Sequence, residues 1–274
     1  MKGIAAILFI ATLSLAAGGQ SNDAQVLRKL GRDAITRGEP EKAAEYFEKA
    51  VALKPNNADY HYQLANAYIL AASGVGMFEA VSMGKKAKAE LERAVQLDPN
   101  FLHARFALLE IYIGAPAMFG GSESAAMEQA TEIRKHDAID GHRGFARVYT
   151  GAKKPELARK EYADMLKEQP ASARAHYWFG VYLMLTEKNY KQASDELESA
   201  VKLDPSYMPA YFRIGHAAVL AGNNLVRGEV ALKKYLAYSP KEDEPSIARA
   251  YYWLGGIYEK RERRRRRSRA TPRP

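Results

Sequence analysis

A short phrase recurs along this chain, and the distance between its copies limits what the chain can fold into. Its three clearest copies are "EKAAEYFEKAVALKPNN" at 41–57, "KAKAELERAVQLDPN" at 86–100 and "KQASDELESAVKLDPS" at 191–206. In the first copy Ala43, Phe47 and Ala50 are spaced so that they share one face of a helix. A proline follows each of these copies and ends the helix, because its ring and its missing N–H cannot continue the hydrogen-bond ladder.

Weaker copies of the phrase fill the intervals between the clear ones. The ends of all six copies lie at positions 55, 99, 138, 170, 205 and 240, which are 44, 39, 32, 35 and 35 residues apart. A second phrase precedes each copy and places a small residue among large apolar ones, as at Gly180 and Gly215. The small residue lets a partner helix approach closely. The sequence therefore predicts a series of helix pairs, each of which must stack on its neighbours to bury its apolar face.

The period, the paired helices and the small and large positions together resemble the tetratricopeptide repeat (TPR), whose pattern is W-x2-L-G-x2-Y…A-x3-F…P. With the additional residues in its second and third repeats, the chain also resembles a group of exported bacterial TPR proteins. The resemblance implies an all-α fold, a right-handed α-solenoid of about six and a half helix-turn-helix repeats within 20–260. We assign the repeats to 24–57, 58–101, 102–138, 139–172, 173–207, 208–247 and, as the first helix of a seventh, 248–260.

Two repeats carry additional residues. In the second repeat the helical pattern resumes at Met77, so we expect its second helix to begin early and to be longer than the others. In the third repeat Pro116, Gly120 and Gly121 predict a loop, and Ser122 is placed to cap the helix that follows.

The N-terminus is typical of a targeting segment. Lys2 precedes an apolar run that ends in small residues, and this run is shorter than the roughly 20 residues of a membrane span. We interpret 1–19 as a signal peptide, with an uncleaved N-terminal anchor as the alternative. The chain has no cysteine, which excludes both an acylated lipoprotein cysteine and disulfides. The expected protein is exported, periplasmic in a Gram-negative source, and does not span the membrane after cleavage.

The positive charge of the chain is concentrated at its C-terminus. The formal net charge is +9, and residues 261–274 alone hold eight Arg and one Glu. Because like charges at adjacent positions repel and no apolar stripe is present, we expect 261–274 to be disordered. Contact with an anionic surface is the activity that such a segment favours. Its amino-acid composition also resembles the product of GC-rich codons translated in a shifted reading frame, so a frameshift that removed the expected helix is an alternative hypothesis.

The sequence contains no motif that indicates catalysis. It lacks H-E-x-x-H, a phosphate-binding loop and G-x-G-x-x-G, and without cysteine it has no thiol nucleophile. His61, His142 and His176 occupy positions where the repeat places large packing residues, so we interpret them as packing groups. We predict a protein that is not an enzyme and that uses no cofactor and no metal.

The resemblance to TPR proteins implies a binding groove lined by the first helices of successive repeats. Arginine and aromatic residues alternate there, and both are favoured at binding hot spots. The predicted groove residues are Arg28, Arg32, Tyr62, Asn66, Phe106, Glu110, Arg143, Arg147, Tyr177, Phe212, Arg213, His216 and Tyr252.

A protein or peptide is the partner that this groove predicts, and Arg143 and Arg147 together could hold a carboxylate. The alternatives are a mixed surface without a partner, an accessory protein that binds a small ligand or lipid, and a protein that binds an anionic polymer or nucleic acid through the arginine segment.

Overall fold

The computed structural model describes residues 22–241 and 244–270, and all regular structure in these ranges is helical. The predicted signal peptide 1–19 lies outside the described residues. The helices are α1 (22–36), α2 (Pro40–Leu53), α3 (Ala58–Ala71), α4 (Met77–Leu97), α5 (Leu102–Gly114), α6 (Glu123–His136), α7 (Ala138–Gly151), α8 (Pro155–Glu168), α9 (Ala173–Leu185), α10 (Tyr190–Leu203), α11 (Met208–Ala221), α12 (Leu225–Leu236) and α13 (Ile247–Ala270). The predicted all-α fold of stacked helix pairs is confirmed.

The chain divides into two compact units, Met1–Pro155 and Glu156–Pro274. The division falls at the start of α8, within the range assigned to the fourth repeat. In the first unit each helix packs on the next, as α3 does on α4 and α6 on α7. In the second unit α9 packs on α10, and α11 packs on α12 in the same way.

Short polar side chains begin many of these helices. The side chains of Asn57, Ser122, Asp137, Ser172 and Asn189 each accept a hydrogen bond from the backbone N–H three residues later. Each bond satisfies a donor that the first turn of a helix would otherwise leave without a partner. The cap predicted at Ser122 is confirmed, since its Oγ lies 3.2 Å from the Ala125 nitrogen.

Close packing within several helix pairs depends on a glycine of the first helix. A Cβ atom added at Gly31 would lie 2.6 Å from Cζ of Phe47, and one added at Gly180 would lie 2.9 Å from Cγ of Leu197. Phe47 and Leu197 are themselves almost completely buried. The large residue of the second helix therefore occupies the space that the missing side chain leaves.

A hydrogen bond to the preceding turn recurs at the start of several first helices. Nε2 of His61 lies 2.9 Å from the carbonyl oxygen of Pro55, and Nε2 of His176 lies 3.1 Å from that of Pro170. Arg105 and Tyr211 make the same contact with the carbonyls of the prolines six residues before them. Because the ring of His61 is buried and that of His176 is partly covered, these contacts agree with the packing role predicted for the two histidines.

Both additional segments take the predicted form. Helix α4 begins at Met77 and extends over 21 residues. The segment between α5 and α6 contains only a short 3₁₀ turn, Ala117–Phe119, followed by Gly120 in the left-handed conformation. Met77, Phe78 and Met118 on these segments are highly exposed.

The prediction of a disordered segment from 261 is wrong for residues 261–270, which continue α13. Arginine has a high helix propensity, and acidic residues one turn away offset the repulsion between the arginines. Glu259 pairs with Arg263, and Glu262 pairs with Arg266 at 3.1 Å. The first arginine of the run, Arg261, also binds Glu229 on α12, which anchors the extension to its neighbour. Residues 271–274 lie outside the described residues.

Candidate functional site

Eight of the predicted groove residues belong to the first unit, on α1, α3, α5 and α7. We call this set the first-unit face; it comprises Arg28, Arg32, Tyr62, Asn66, Phe106, Glu110, Arg143 and Arg147. Side chains of the set join neighbouring first helices. Nε of Arg28 lies 2.6 Å from Oδ2 of Asp59, and Arg147 binds both carboxylate oxygens of Glu110 at 2.6 and 2.5 Å.

The two arginines predicted to hold a carboxylate already contact acidic residues of this chain. Arg143 binds Asp140 one turn earlier, and its guanidinium carbon lies 4.9 Å from the centre of the Phe106 ring. Arg147 is paired with Glu110, and both side chains of this pair remain about half exposed. This part of the face therefore presents guanidinium and carboxylate groups side by side, not two arginines without counter-ions.

An aromatic cluster lies between α3 and α5. The ring of Tyr62 is 5.0 Å from that of Phe101 and 6.3 Å from that of His103. Phe101 and His103 were not among the predicted groove residues, and neither was Asp59. Phe101 and His103 lie at the beginning of α5, and Asp59 lies at the beginning of α3. All three precede the repeat positions from which the groove was predicted.

In the second unit, several predicted groove residues are buried, and the prediction for Phe212 is wrong. Its exposed fraction is 0%, and its ring packs 5.5 Å from that of Tyr235 on α12. Tyr177 is also buried, with its ring 5.3 Å from that of Tyr207. Large aromatic residues at these positions fill the space between helices, so little of them reaches the surface. Tyr252, in contrast, is 72% exposed.

His216 is buried against Trp253, a residue that the sequence analysis did not select. The two rings stack with their centres 3.8 Å apart. Arg213 and Arg249 are the nearby cations. Burial is the main cause that lowers the pKa of His216 to about 4, and the positive charges of Arg213 and Arg249 lower it further. The neutral imidazole is therefore the form that this environment stabilises.

The buried neutral His216 should make the second unit sensitive to acid. Because its pKa is about 4 when folded and about 6.5 when unfolded, the unfolded state binds more protons between these values, and stability falls as the pH falls. From pH 7 to pH 5 we expect the wild type to lose about 2 kcal/mol more than His216→Gln. Urea denaturation followed by tryptophan fluorescence measures this, since both tryptophans, Trp178 and Trp253, lie in this unit. The hydrogen bond to Glu196 raises the pKa of His176, so this histidine makes the folded state more stable as the pH falls. His176 is present in both proteins, so its contribution cancels in the comparison. Equal losses in the two proteins would contradict the assignment.

A shallow groove of about 770 Å³ lies between the beginning of α12 and the end of α13. Val226 and Val230 contribute exposed apolar surface, and Arg227, Arg261, Arg264 and Arg265 contribute the charged rim. Arg227 binds both carboxylate oxygens of Glu198 at 2.8 and 2.9 Å, and Arg264 binds the carbonyl oxygen of Gly222.

Neither a metal centre nor a membrane span emerges from the residues that the structure describes. Within 22–241 and 244–270, no group of three or more His, Asp or Glu side chains is placed to hold a metal ion. Over the same ranges, no helix combines the length and the apolar character needed to cross a bilayer.

Family models match both units of the chain. A model of the TPR repeat matches residues 22–70, and a model of the tetratricopeptide repeat matches residues 144–207. The chain is a tetratricopeptide repeat protein. No curated protein sequence matches it.

Several solved structures similar to this TPR protein are themselves described as TPR proteins. A thermophilic TPR protein of Thermus thermophilus is 16% identical, with 72% of this chain and 99% of that chain covered and a TM-score of 0.47. A tetratricopeptide repeat protein of Parabacteroides merdae is 15% identical, with 88% of each chain covered and a TM-score of 0.43. The pilF protein of Pseudomonas aeruginosa is 16% identical, with 81% and 95% covered and a TM-score of 0.44. Because these scores are low, the assignment to TPR proteins depends on the family models and on the repeat pattern.

Proposed function

We propose that this TPR protein is a non-catalytic scaffold that binds a protein or peptide through the first-unit face. The observation that carries the proposal is the row of contacts along that face: Arg28 with Asp59, Tyr62 with Phe101, and Arg147 with Glu110. Charges of both signs alternate with aromatic rings across α1, α3, α5 and α7. A polypeptide offers the complementary groups, namely backbone amides and carbonyls, charged side chains and apolar side chains.

The physical character of these contacts suits reversible binding. An exposed ion pair contributes only about 0.2–1 kcal/mol to stability, so Arg147 and Glu110 can exchange their mutual bonds for bonds to a ligand at little cost. Tyr62 and Phe106 provide large, rigid contact areas next to these charges, and aromatic residues and arginine are enriched at hot spots. Binding alone, without chemistry or cofactor, is the role that we assign, since the sequence carries none of the motifs of catalysis.

We further propose that the protein acts in the cell envelope after export. The support is the N-terminal sequence, in which Lys2 and an apolar run precede small residues. N-terminal sequencing of the protein purified from fractionated cells should find a chain that begins after about residue 19 and that lies outside the cytoplasm. An intact Met1 on cytoplasmic protein would be incompatible with export.

Exchanging the charges of one ion pair tests the role of the first-unit face. The double variant Glu110→Arg with Arg147→Glu retains an ion pair but reverses its direction. We expect its stability to stay within about 0.5 kcal/mol of the wild type, because both side chains are half exposed. Its affinity for the partner captured from the native envelope should fall at least tenfold, which corresponds to about 1.4 kcal/mol, and calorimetric titration with that partner measures it.

The same exchange at an ion pair outside the first-unit face provides the matched control. Lys160 and Asp164 form an ion pair on α8, and neither residue belongs to the first-unit face, so Lys160→Asp with Asp164→Lys should leave affinity unchanged. If exchange on the first-unit face leaves affinity as high as in the control, the partner binds elsewhere and the proposal fails.

A further inference from the structure

The groove between the beginning of α12 and the end of α13 combines positive charge with exposed apolar surface. Four of its lining residues are arginines, and no acidic side chain is among the described residues that line it. Val226 and Val230, one turn apart on α12, line the same groove and are 65% and 58% exposed. A ligand that fits this groove therefore carries a negative charge next to an apolar portion.

The acidic residues at the end of α13 lie on the side of the helix away from the groove. Glu259 pairs with Arg263, and Glu262 pairs with Arg266. Because an α-helix has about 3.6 residues per turn, these four positions share one side of α13. The groove arginines of this helix share the opposite side, at positions 261, 264 and 265. The positive charge of the helix end is thus directed into the groove, where its acidic residues do not reach.

Carboxylates neutralise only part of the charge in the groove. Arg227 and Arg261 each bind a glutamate of a neighbouring helix. Arg264 instead binds the carbonyl oxygen of Gly222, which is neutral, and it has no carboxylate partner among the residues that the structure describes. Lys260 adds a further positive charge beside this turn, since a Cβ added at Gly222 would lie 3.7 Å from its Nζ. An anion bound here would reduce the repulsion between these cations.

The size of the groove favours a small anionic group over a protein surface. Its volume of about 770 Å³ is in the range of small-molecule sites, whereas a stable protein interface buries at least about 1,000 Å². Guanidinium groups bind phosphate oxygens through pairs of parallel hydrogen bonds. The two valines lie beside these groups, where an apolar chain attached to a phosphate would follow. A phospholipid has this order of groups, and basic clusters on helices are attracted to anionic membranes.

We propose that the groove between α12 and α13 binds the headgroup of an anionic phospholipid at a membrane surface. Arg264 and Arg265 contact the phosphate, and Val226 and Val230 contact the adjoining acyl chains. The site uses residues of the second unit only, so it does not depend on the first-unit face proposed above.

Sedimentation of the full chain with lipid vesicles tests the groove. Vesicles of phosphatidylglycerol mixed with phosphatidylcholine should bind the wild type, and vesicles of phosphatidylcholine alone measure any binding through the apolar N-terminal run. Arg264→Gln with Arg265→Gln should weaken binding to the mixed vesicles about 30-fold, because each basic residue near an anionic surface accounts for about a fivefold change in affinity.

The matched control is Arg263→Gln with Arg266→Gln, which removes the same charge from the opposite side of the same helix. It should weaken binding by less than about threefold, because charges on the far side of the helix are largely screened at physiological salt. Val226→Ser with Val230→Ser changes no charge, yet it should weaken binding about fivefold through the loss of apolar contact. Melting temperatures near that of the wild type show that each variant is folded.

Several results would overturn the proposal. Equal binding to mixed and neutral vesicles excludes recognition of an anionic headgroup. An equal loss in the two arginine variants means that the net charge of the helix end binds, not the groove, and unchanged binding of the valine variant excludes contact with acyl chains. If inorganic phosphate at constant ionic strength releases the protein from the vesicles, the groove holds a soluble anion. If a polyglutamate peptide binds the wild type more tightly than the vesicles do and does not bind Arg264→Gln with Arg265→Gln, the ligand is an acidic polypeptide.

Discussion

Replacing Phe212 with alanine is expected to lower the free energy of unfolding of the second unit by about 3–5 kcal/mol, the range for removing a buried aromatic ring. Phe212 has an exposed fraction of 0%, and its ring contacts those of Tyr235 and His216. Its removal leaves a cavity between α11 and α12 that the surrounding helices can fill only in part. Denaturation with urea, followed by the fluorescence of Trp178 and Trp253, measures the loss.

The matched control is Tyr252→Ala, at the same repeat position of α13. Tyr252 is largely exposed, so its replacement should change stability by no more than about 0.5 kcal/mol. A small effect of Phe212→Ala, similar to that of Tyr252→Ala, would show that Phe212 is a surface residue after all, as the repeat alignment predicted.

Alanine at two equivalent glycines should shift stability in opposite directions. At Gly215 the new methyl group would overlap with Leu232, which is fully buried and cannot move away. Overpacking of this kind costs about 1–3 kcal/mol. At Gly255 the methyl group enters open space, so only the gain in helix propensity of about 1 kcal/mol remains.

Urea denaturation with the same tryptophan signal compares the two glycine variants. We expect Gly215→Ala to be less stable than the wild type and Gly255→Ala to be more stable. If Gly255→Ala is destabilised as strongly as Gly215→Ala, a second helix already covers α13, and the packing assigned to the end of this unit is incorrect.

The repeat pattern predicted the fold because the same local physics acts in every copy. A run such as Ala43, Phe47 and Ala50 defines a buried helix face by spacing alone, and a following proline ends the helix whatever surrounds it. The early start of α4 and the cap at Ser122 were predictable for the same reason. Each of these features depends on residues that are close in sequence.

Features that depend on contacts between distant residues were not predictable in this way. The ring of Phe212 packs against Tyr235 on the next helix, and a repeat position does not reveal how completely such a neighbour covers a ring. The extension of α13 over 261–270 also has a distant contact, since Arg261 binds Glu229, 32 residues earlier in the chain. Two ion pairs at the first-unit face also join separate helices, and of the two acidic partners the sequence analysis selected Glu110 but not Asp59.

Site-specific photocrosslinking tests the central claim, that a partner binds the first-unit face, most directly. A photoreactive phenylalanine analogue can replace Tyr62 or Phe106 on that face, or Phe78 on the exposed beginning of α4 as the control. After irradiation of the native envelope, we expect the same partner polypeptide to be attached at positions 62 and 106 and not at 78. Attachment at 78 alone, or equal attachment at all three positions, would contradict binding through the first-unit face.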